Sequence, residues 1–346
     1  MTASSTRPGP APCAPRSTGA HAPTTGPART APGAASYHRL TGLTPVLAVR
    51  CAAPRRGNGW LPAADLTTRP EAVRELIAHD ARRGLARYGQ PLRPDVAAGF
   101  GLHRFVWPVS LLFTLPWFLE RRVPLLAPGD VSLRRRPEAV ELTVRPTGFV
   151  CLPDDPAAGR GGPGGGDQAG GRGGLGGSRG DQAGGSPQAR TVPDESALAA
   201  ELRCTLGEFL TPVLAAFRPE TRRGPRVLWA MATDAVVEGL WYAGGLLGEP
   251  ERARAELSAL LAPGESGGRA GSAHAPGADG HPAPAPAPFT PGAGFAPPAP
   301  GRDDASAAPG AAPDASDTDR ARASCCLVYT VEPGEMCGGC PRVTRG

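Results

Sequence analysis

The chain of 346 residues contains no lysine, and all 37 of its basic residues are arginine. Against 32 acidic residues they leave a formal net charge of +5. The arginines are scattered, and the longest run is Arg134, Arg135 and Arg136. A nucleic-acid surface gathers its cations on one face with aromatics between them, so that partner class is set aside. With Ala, Gly and Pro in excess, the all-arginine basicity reads as a coding bias rather than as selection for a polyanion. Aromatic residues are scarce too, at 5%. The opening segment MTASSTRPGPAPCAPRSTG lacks the apolar stretch of a secretory leader.

Long hydrophobic runs are also missing. The most apolar stretch, Phe105–Leu119 (FVWPVSLLFTLPWFL), is 15 residues long, is flanked by Arg104 and Glu120, and contains Pro108 and Pro116. A bilayer span takes about 20 residues. A buried core helix is expected here, with peripheral contact at a membrane surface left open. The protein is expected in the cytoplasm.

What the chain has in abundance is Gly (48) and Pro (42), about a quarter of all residues. That level signals low complexity when no collagen period accompanies it. The excess is concentrated in residues 1–36, 156–192 and 263–318. The remainder, about 217 residues, is enough for one ordinary domain. A collagen, a coiled coil and a multi-domain array are thereby excluded. The expected architecture is α+β and mainly helical. A body at 37–155 and 193–262 carries a small β element and is interrupted by a Gly-rich linker at 156–192. An N-terminal tail (1–36) precedes it, and an Ala/Pro-rich linker (263–318) leads to a C-terminal module at 319–346.

Within the body, residues 68–88 carry helix-start signals: Thr68, Glu71 three residues on, and Pro70 in the first turn. Val73, Leu76, Ile77 and Leu85 share a face, and His79 lies off it as a solvated side chain. Residues 130–152 read as two strands around a Pro–Glu turn, with Val140, Leu142 and Val144 alternating against polar neighbours. In the Gly-rich tract, GDQAGG occurs at 166–171 and again at 180–185, and GRGGLG at Gly171–Gly176 matches GxGxxG. A dinucleotide loop needs a strand directly before it and a helix directly after. Neither is expected here, so the tract reads as a flexible linker.

After it a helical stripe returns at Leu198, Leu202, Leu206, Phe209, Val213 and Phe217, with an interruption expected at Pro212 and Cys204 off the stripe as an exposed thiol. A second helix, Pro225–Leu247, is apolar nearly all round and should be central. Asp234 and Glu238 on it have the spacing of a metal-binding pair. The Glu-x-x-His partners of a di-iron bundle are absent, so pairing with arginines is favoured. The five tryptophans, Trp60, Trp107, Trp117, Trp229 and Trp241, are read as core. The Ala–Pro run at 282–288 should be an extended tether.

Eight cysteines remain. Cys13, Cys51, Cys151 and Cys204 are isolated, whereas Cys325, Cys326, Cys337 and Cys340 crowd into the last residues as Cys-Cys-x10-Cys-x2-Cys followed by Pro341. In a reducing compartment such a cluster points to a metal rather than to disulfides. Leu327–Val331 suits a strand and Pro333–Gly334 a turn, which together can return the chain so that Cys337 approaches Cys326. Gly338 and Gly339 allow tight wrapping, with N–H groups aimed at sulfur. A structural zinc site is one alternative, although zinc modules usually pair two knuckles and only one is present. Adjacent cysteines on extended backbone point to opposite faces, which suits a binuclear centre better. Four cysteine ligands and no nearby histidine favour a [2Fe–2S] cluster.

At this motif the sequence resembles the FhuF-type ferric siderophore reductases, whose C-terminal iron–sulfur module has the same spacing. The match is carried by Cys325, Cys326, Cys337 and Cys340, the ligands the resemblance implies. More loosely, FVWPVSLLFTLPWFLERRVPLLAPGDVSLRRRPEAVELTV resembles the family's apolar helix and strands. RVLWAMATDAVVEG, with Trp229 and Asp234, resembles its late helix. The resemblance implies one-electron reduction of a ferric siderophore of hydroxamate type in the cytoplasm, with release of Fe(II). Electrons would come from an external ferredoxin or flavin-reductase type donor. No further catalytic acid, base or nucleophile is implied. Two other readings stay open: a zinc- or cluster-binding sensor or structural module, and a simple electron carrier.

Overall fold

The structure is a computed structural model that describes residues 31–158, 188–262, 287–290, 294–295, 320–334 and 339–342. Among them are seven α-helices and nine short strands, an α+β chain that is mainly helical. Residues 1–30 of the expected N-terminal tail and the GxGxxG match lie outside the described residues. The folded body begins with α1 (Ala34–Leu43), slightly before the expected start at Tyr37.

At the centre stands α4 (Pro94–Glu120), the helix that holds the apolar run. It is longer than that run and reaches membrane-spanning length and apolarity. However, 83% of its most apolar window is buried inside the fold. The shortness of the apolar run therefore does not limit the helix; burial is what marks it as core. Two prolines sit inside α4. Pro116 has no N–H to give the carbonyl of Leu112, one turn earlier. Tyr37 on α1 fills the gap, donating its hydroxyl to that oxygen at 2.7 Å. The Tyr37 side chain is buried, and its phenol is pushed well above its ordinary pKa by that burial.

Around α4 pack α3 (Pro70–Tyr88), α5 (Glu195–Thr221) and α6 (Pro225–Leu246). The expected capping box at Thr68 does not form. Thr68 ends α2 (Ala63–Thr68), its hydroxyl donates to Ala64, and the N-cap of α3 is Arg69 with Pro70 behind it. On α3 the stripe holds at Val73 and Leu76, whereas Leu85 is exposed. His79 is half-buried rather than solvated, and burial lowers its pKa. On α5 all six stripe residues are fully buried, Asp194 caps the first turn through Ala197, and the helix runs unbroken through Pro212. Cys204 is half-buried on that helix. As expected, α6 is buried almost all round; Gly239 lets it approach α4, since a Cβ there would stand 3.2 Å from Ser110 Oγ. Trp60, Trp117 and Trp229 are core, while Trp107 and Trp241 are half-buried.

The two anticipated strands are β4 (Val131–Arg135) and β5 (Val140–Val144), paired antiparallel. They form the middle of a four-stranded sheet, with β1 (Leu47–Cys51) parallel to β5 and β2 (Trp60–Pro62) antiparallel to β4. A second sheet joins β3 (Arg122–Leu125), β6 (Gly148–Cys151) and β7 (Gln188–Thr191). Since β7 falls within 156–192, the low-complexity linker ends sooner than composition suggests.

The 263–318 tract also differs from a plain tether. Behind α7 (Pro250–Leu261), the buried Ala287 donates its N–H to the Arg203 carbonyl at 2.8 Å, and Phe289 packs on the core. Thr290 N–H reaches Thr233 Oγ1 at 3.2 Å. Then β8 (Gly294–Phe295) pairs antiparallel with β9 (Arg320–Ala321). The linker is therefore pinned to the body at points along its length.

Candidate metal centre

The site is built outward from two carboxylates on α6. Asp234 is 1% exposed, a placement that a carboxylate tolerates only when its oxygens are satisfied. Its Oδ1 accepts the Ala323 N–H at 2.8 Å, and its Oδ2 accepts the Ser324 N–H at 2.8 Å and the Ser324 hydroxyl at 2.5 Å. One turn on, Glu238 faces Arg320 Nη1 at 3.4 Å and His103 Nε2 at 3.5 Å. Burial pushes the Glu238 carboxyl up, but the hydrogen bond and charge of His103 and the charges of Arg320 and Arg322 outweigh it and hold it at about 2. Arg320 in turn donates to the Asp234 backbone carbonyl at 2.9 Å. The i, i+4 pair thus clamps residues 320–324 onto the helix instead of chelating an ion. Arginine pairing holds for Glu238, while Asp234 is spent chiefly on backbone N–H groups.

Directly after the clamp come Cys325 and Cys326, both half-buried. Leu327 takes a left-handed φ of 63°, and a 3-10 turn follows at Val328–Thr330 where a strand was expected. The reason is packing: Val331 is buried against Leu92, Val96 and Ala97 at the α3–α4 junction, and Gln90 Nε2 holds its carbonyl at 2.7 Å. A tight turn brings the chain inward where an extended strand would carry it past. Pro333–Gly334 is a turn, as anticipated.

The chain returns at Gly339, whose φ is +64°; a Cβ there would lie 1.7 Å from the Arg320 carbonyl oxygen. Only glycine fits. Its carbonyl accepts the Arg322 N–H at 3.1 Å, which sets Cys340 at 4% exposure beside the clamp.

Three of the four proposed ligands thus belong to one docked segment, and they sense one another. Burial pushes the Cys325 thiol up; the Leu327 N–H on its sulfur pulls it down, and the charges of Cys326 and Cys340 push it up again. The N–H on sulfur is the kind of second-shell donor iron–sulfur centres use. In kind, the donors fit a cluster. Cys337 lies outside the described residues, and among the described residues no three His, Cys, Asp or Glu side chains are close enough to hold one ion.

Residues 322–342 match the family model described as FhuF 2Fe-2S C-terminal domain. The matched stretch contains all four cysteines and the Asp234-bound residues Ala323 and Ser324, and its description names an iron–sulfur cofactor. No curated protein and no solved structure matches the chain.

Beside Cys326 opens a cleft of about 680 Å³. Its walls come from α3 (Arg87, Tyr88), α4 (Phe100, His103, Arg104), α6 (Met231, Glu238) and the docked segment (Arg322, Ser324, Val328). No sequence pattern singled out these residues as a group, because four separated segments supply them. The one available signal was the pair of carboxylates on an otherwise apolar helix, which marked where the segment docks.

Proposed function

We propose that this chain is a ferric siderophore reductase of the FhuF type, acting in the cytoplasm with electrons from an external ferredoxin or flavin-reductase type donor. The observation that carries the reading is the cleft with Cys326 in its wall: a residue of the matched cysteine module lines a space of small-molecule size. Cys325, Cys326, Cys337 and Cys340 would hold a [2Fe–2S] cluster. Bound there, the cluster supplies single-electron transfer, which is the stoichiometry of Fe(III) to Fe(II). Siderophores offer hard oxygen donors that grip Fe(III) and hold Fe(II) poorly, so reduction amounts to release. The chain's own residues seat the thiols and shape the approach. Asp234 and Glu238 fix the segment, Gly339 permits its return, and Tyr88 and Phe100 offer apolar wall to a chelate's organic shell. The resemblance to the family favours a hydroxamate chelate.

Purified without oxygen, the protein is expected to be red-brown, to become paramagnetic on reduction, and to release trappable Fe(II) from a ferric trihydroxamate. Cys337→Ser should remove colour and Fe(II) release together, while Cys51→Ser keeps both. A colourless protein with one equivalent of zinc would overturn the reading. So would a reduced cluster that yields no Fe(II), which would mark a carrier.

A further inference from the structure

The proposed function leaves open what sets the size of ligand the cleft accepts. Where α4 packs on α6, the cleft is lined by Gly99 and Met231, two residues that are otherwise buried. A glycine well inside a helix weakens it relative to alanine, so its presence needs a reason. Two other glycines of the same helix pair have one. A Cβ at Gly101 would stand 3.2 Å from Asp80 Oδ2, a carboxylate fixed by Arg104 and Arg135. A Cβ at Gly239 would stand 3.3 Å from the backbone carbonyl of Trp107. Neither obstacle can move far.

Gly99 is different. It sits in regular helix and has no left-handed φ. Beyond α4 itself, an added Cβ would meet only one atom of the described residues within 4 Å, the Met231 Cε at 3.2 Å. That methyl ends an unbranched, flexible side chain and can swing aside. Neither backbone conformation nor packing therefore demands glycine at 99. What the missing side chain leaves is room in the cleft.

Resting on the reductase reading, we infer that Gly99 and Met231 are the size determinant of the cleft. The bare Cα of Gly99 makes space for part of a chelate's organic shell, and the Met231 thioether adapts to that shell. This pair brings no charged side chain, so it selects by bulk and apolar contact rather than by the donor groups on iron. The same space is walled by Cys326 and Val328 of the docked segment. A side chain grown at 99 therefore displaces whatever binds beside the cysteine module. One substitution should then act with opposite signs, firming the helix while weakening the ligand.

The test uses the full chain with gallium(III), which matches iron(III) in charge and size and takes no electron from the protein. Gly99→Ala should raise the thermal midpoint by about 2 °C. It should also weaken binding of a hexadentate gallium(III) trihydroxamate about threefold by titration calorimetry. Gly99→Leu should weaken that binding at least about tenfold, with the cluster's colour and the helix content unchanged. Met231→Ala added to Gly99→Leu should bring the affinity back to within about threefold of the parent, because the two side chains compete for one space. A lower thermal midpoint in Gly99→Ala would show that packing against Met231 requires the glycine, and it overturns the inference. So does a parent that does not bind, a parent-like affinity in Gly99→Leu, or a double variant as weak as Gly99→Leu. Failure of the reductase reading looks different: the graded binding persists on gallium, while no Fe(II) is trapped from the iron chelate.

Discussion

Glu238 shows how much a single side chain can carry here. Its carboxyl is held at about 2, against an ordinary 4.5, because the hydrogen bond and charge of His103 and the charges of Arg320 and Arg322 outweigh the cost of its burial. A depressed carboxyl stabilises the fold above its ordinary pKa, and that contribution is lost as pH falls from about 4.5 toward 2. With the side chain one-third exposed, solvent screening trims the gain to about 1–2 kcal/mol. Glu238→Gln should therefore lower stability by that amount at neutral pH, with the gap to the parent closing as pH drops through 4.5. Urea unfolding from pH 6 down to 2 measures it; a gap of constant size would show that packing, not charge, is involved. The sequence marked Glu238 and Asp234 as a pair and offered metal or arginine as partners. It could not show that Asp234 holds Ala323 and Ser324, because backbone N–H groups some ninety residues away leave no trace in composition or spacing.

Among elements, those with local causes were the legible ones. The stripe on α5 and the apolar surface of α6 follow from a period of 3.6, and β4–β5 from alternation across a short turn. The edge strands β1, β2 and β7, the β8–β9 pair and the 3-10 turn after Cys326 were not legible, since each is decided by a distant partner. The docking of β9 and the cysteine segment on α6 is the element contact on which the proposed site depends. Asp234→Asn keeps the volume but replaces one acceptor oxygen with an amide NH2 set against the N–H of either Ala323 or Ser324. A buried donor left against a donor, together with a lost charge, costs about 2–4 kcal/mol locally. Amide exchange at Ala323 and Ser324 should rise by at least about tenfold, while amides in the middle of α5 stay protected. If those two amides exchange as slowly as before, Asp234 does not anchor the segment.

At the scale of the whole molecule, the low-complexity insertions begin and end at places the fold holds together. Arg203 binds both ends of the 263–286 stretch, its side chain on the carbonyls of Leu260 and Ala262 and its own carbonyl on Ala287. Residues 296–319 leave from Phe295 and return at Arg320, which are cross-strand partners. A loop whose ends are already neighbours constrains the fold little, because closure entropy grows only with the logarithm of length. Composition alone suggested a long tether that could let the cysteine module swing between donor and chelate. The pairing of β8 with β9, the Asp234 clamp and the Val331 contact argue for a module that works where it is docked. The two ideas separate cleanly. Replacing 296–319 with a four-residue Asn-Gly-containing turn removes the reach needed for swinging but keeps the β8–β9 register. A roughly sixfold shorter loop should stabilise the docked state by about 1.5 kcal/mol, read as slower amide exchange across 320–324. Fe(II) release from a ferric chelate should continue at the parent rate. A large fall in that rate, with the cluster's colour intact, would show that the module must leave its dock to pass on its electron.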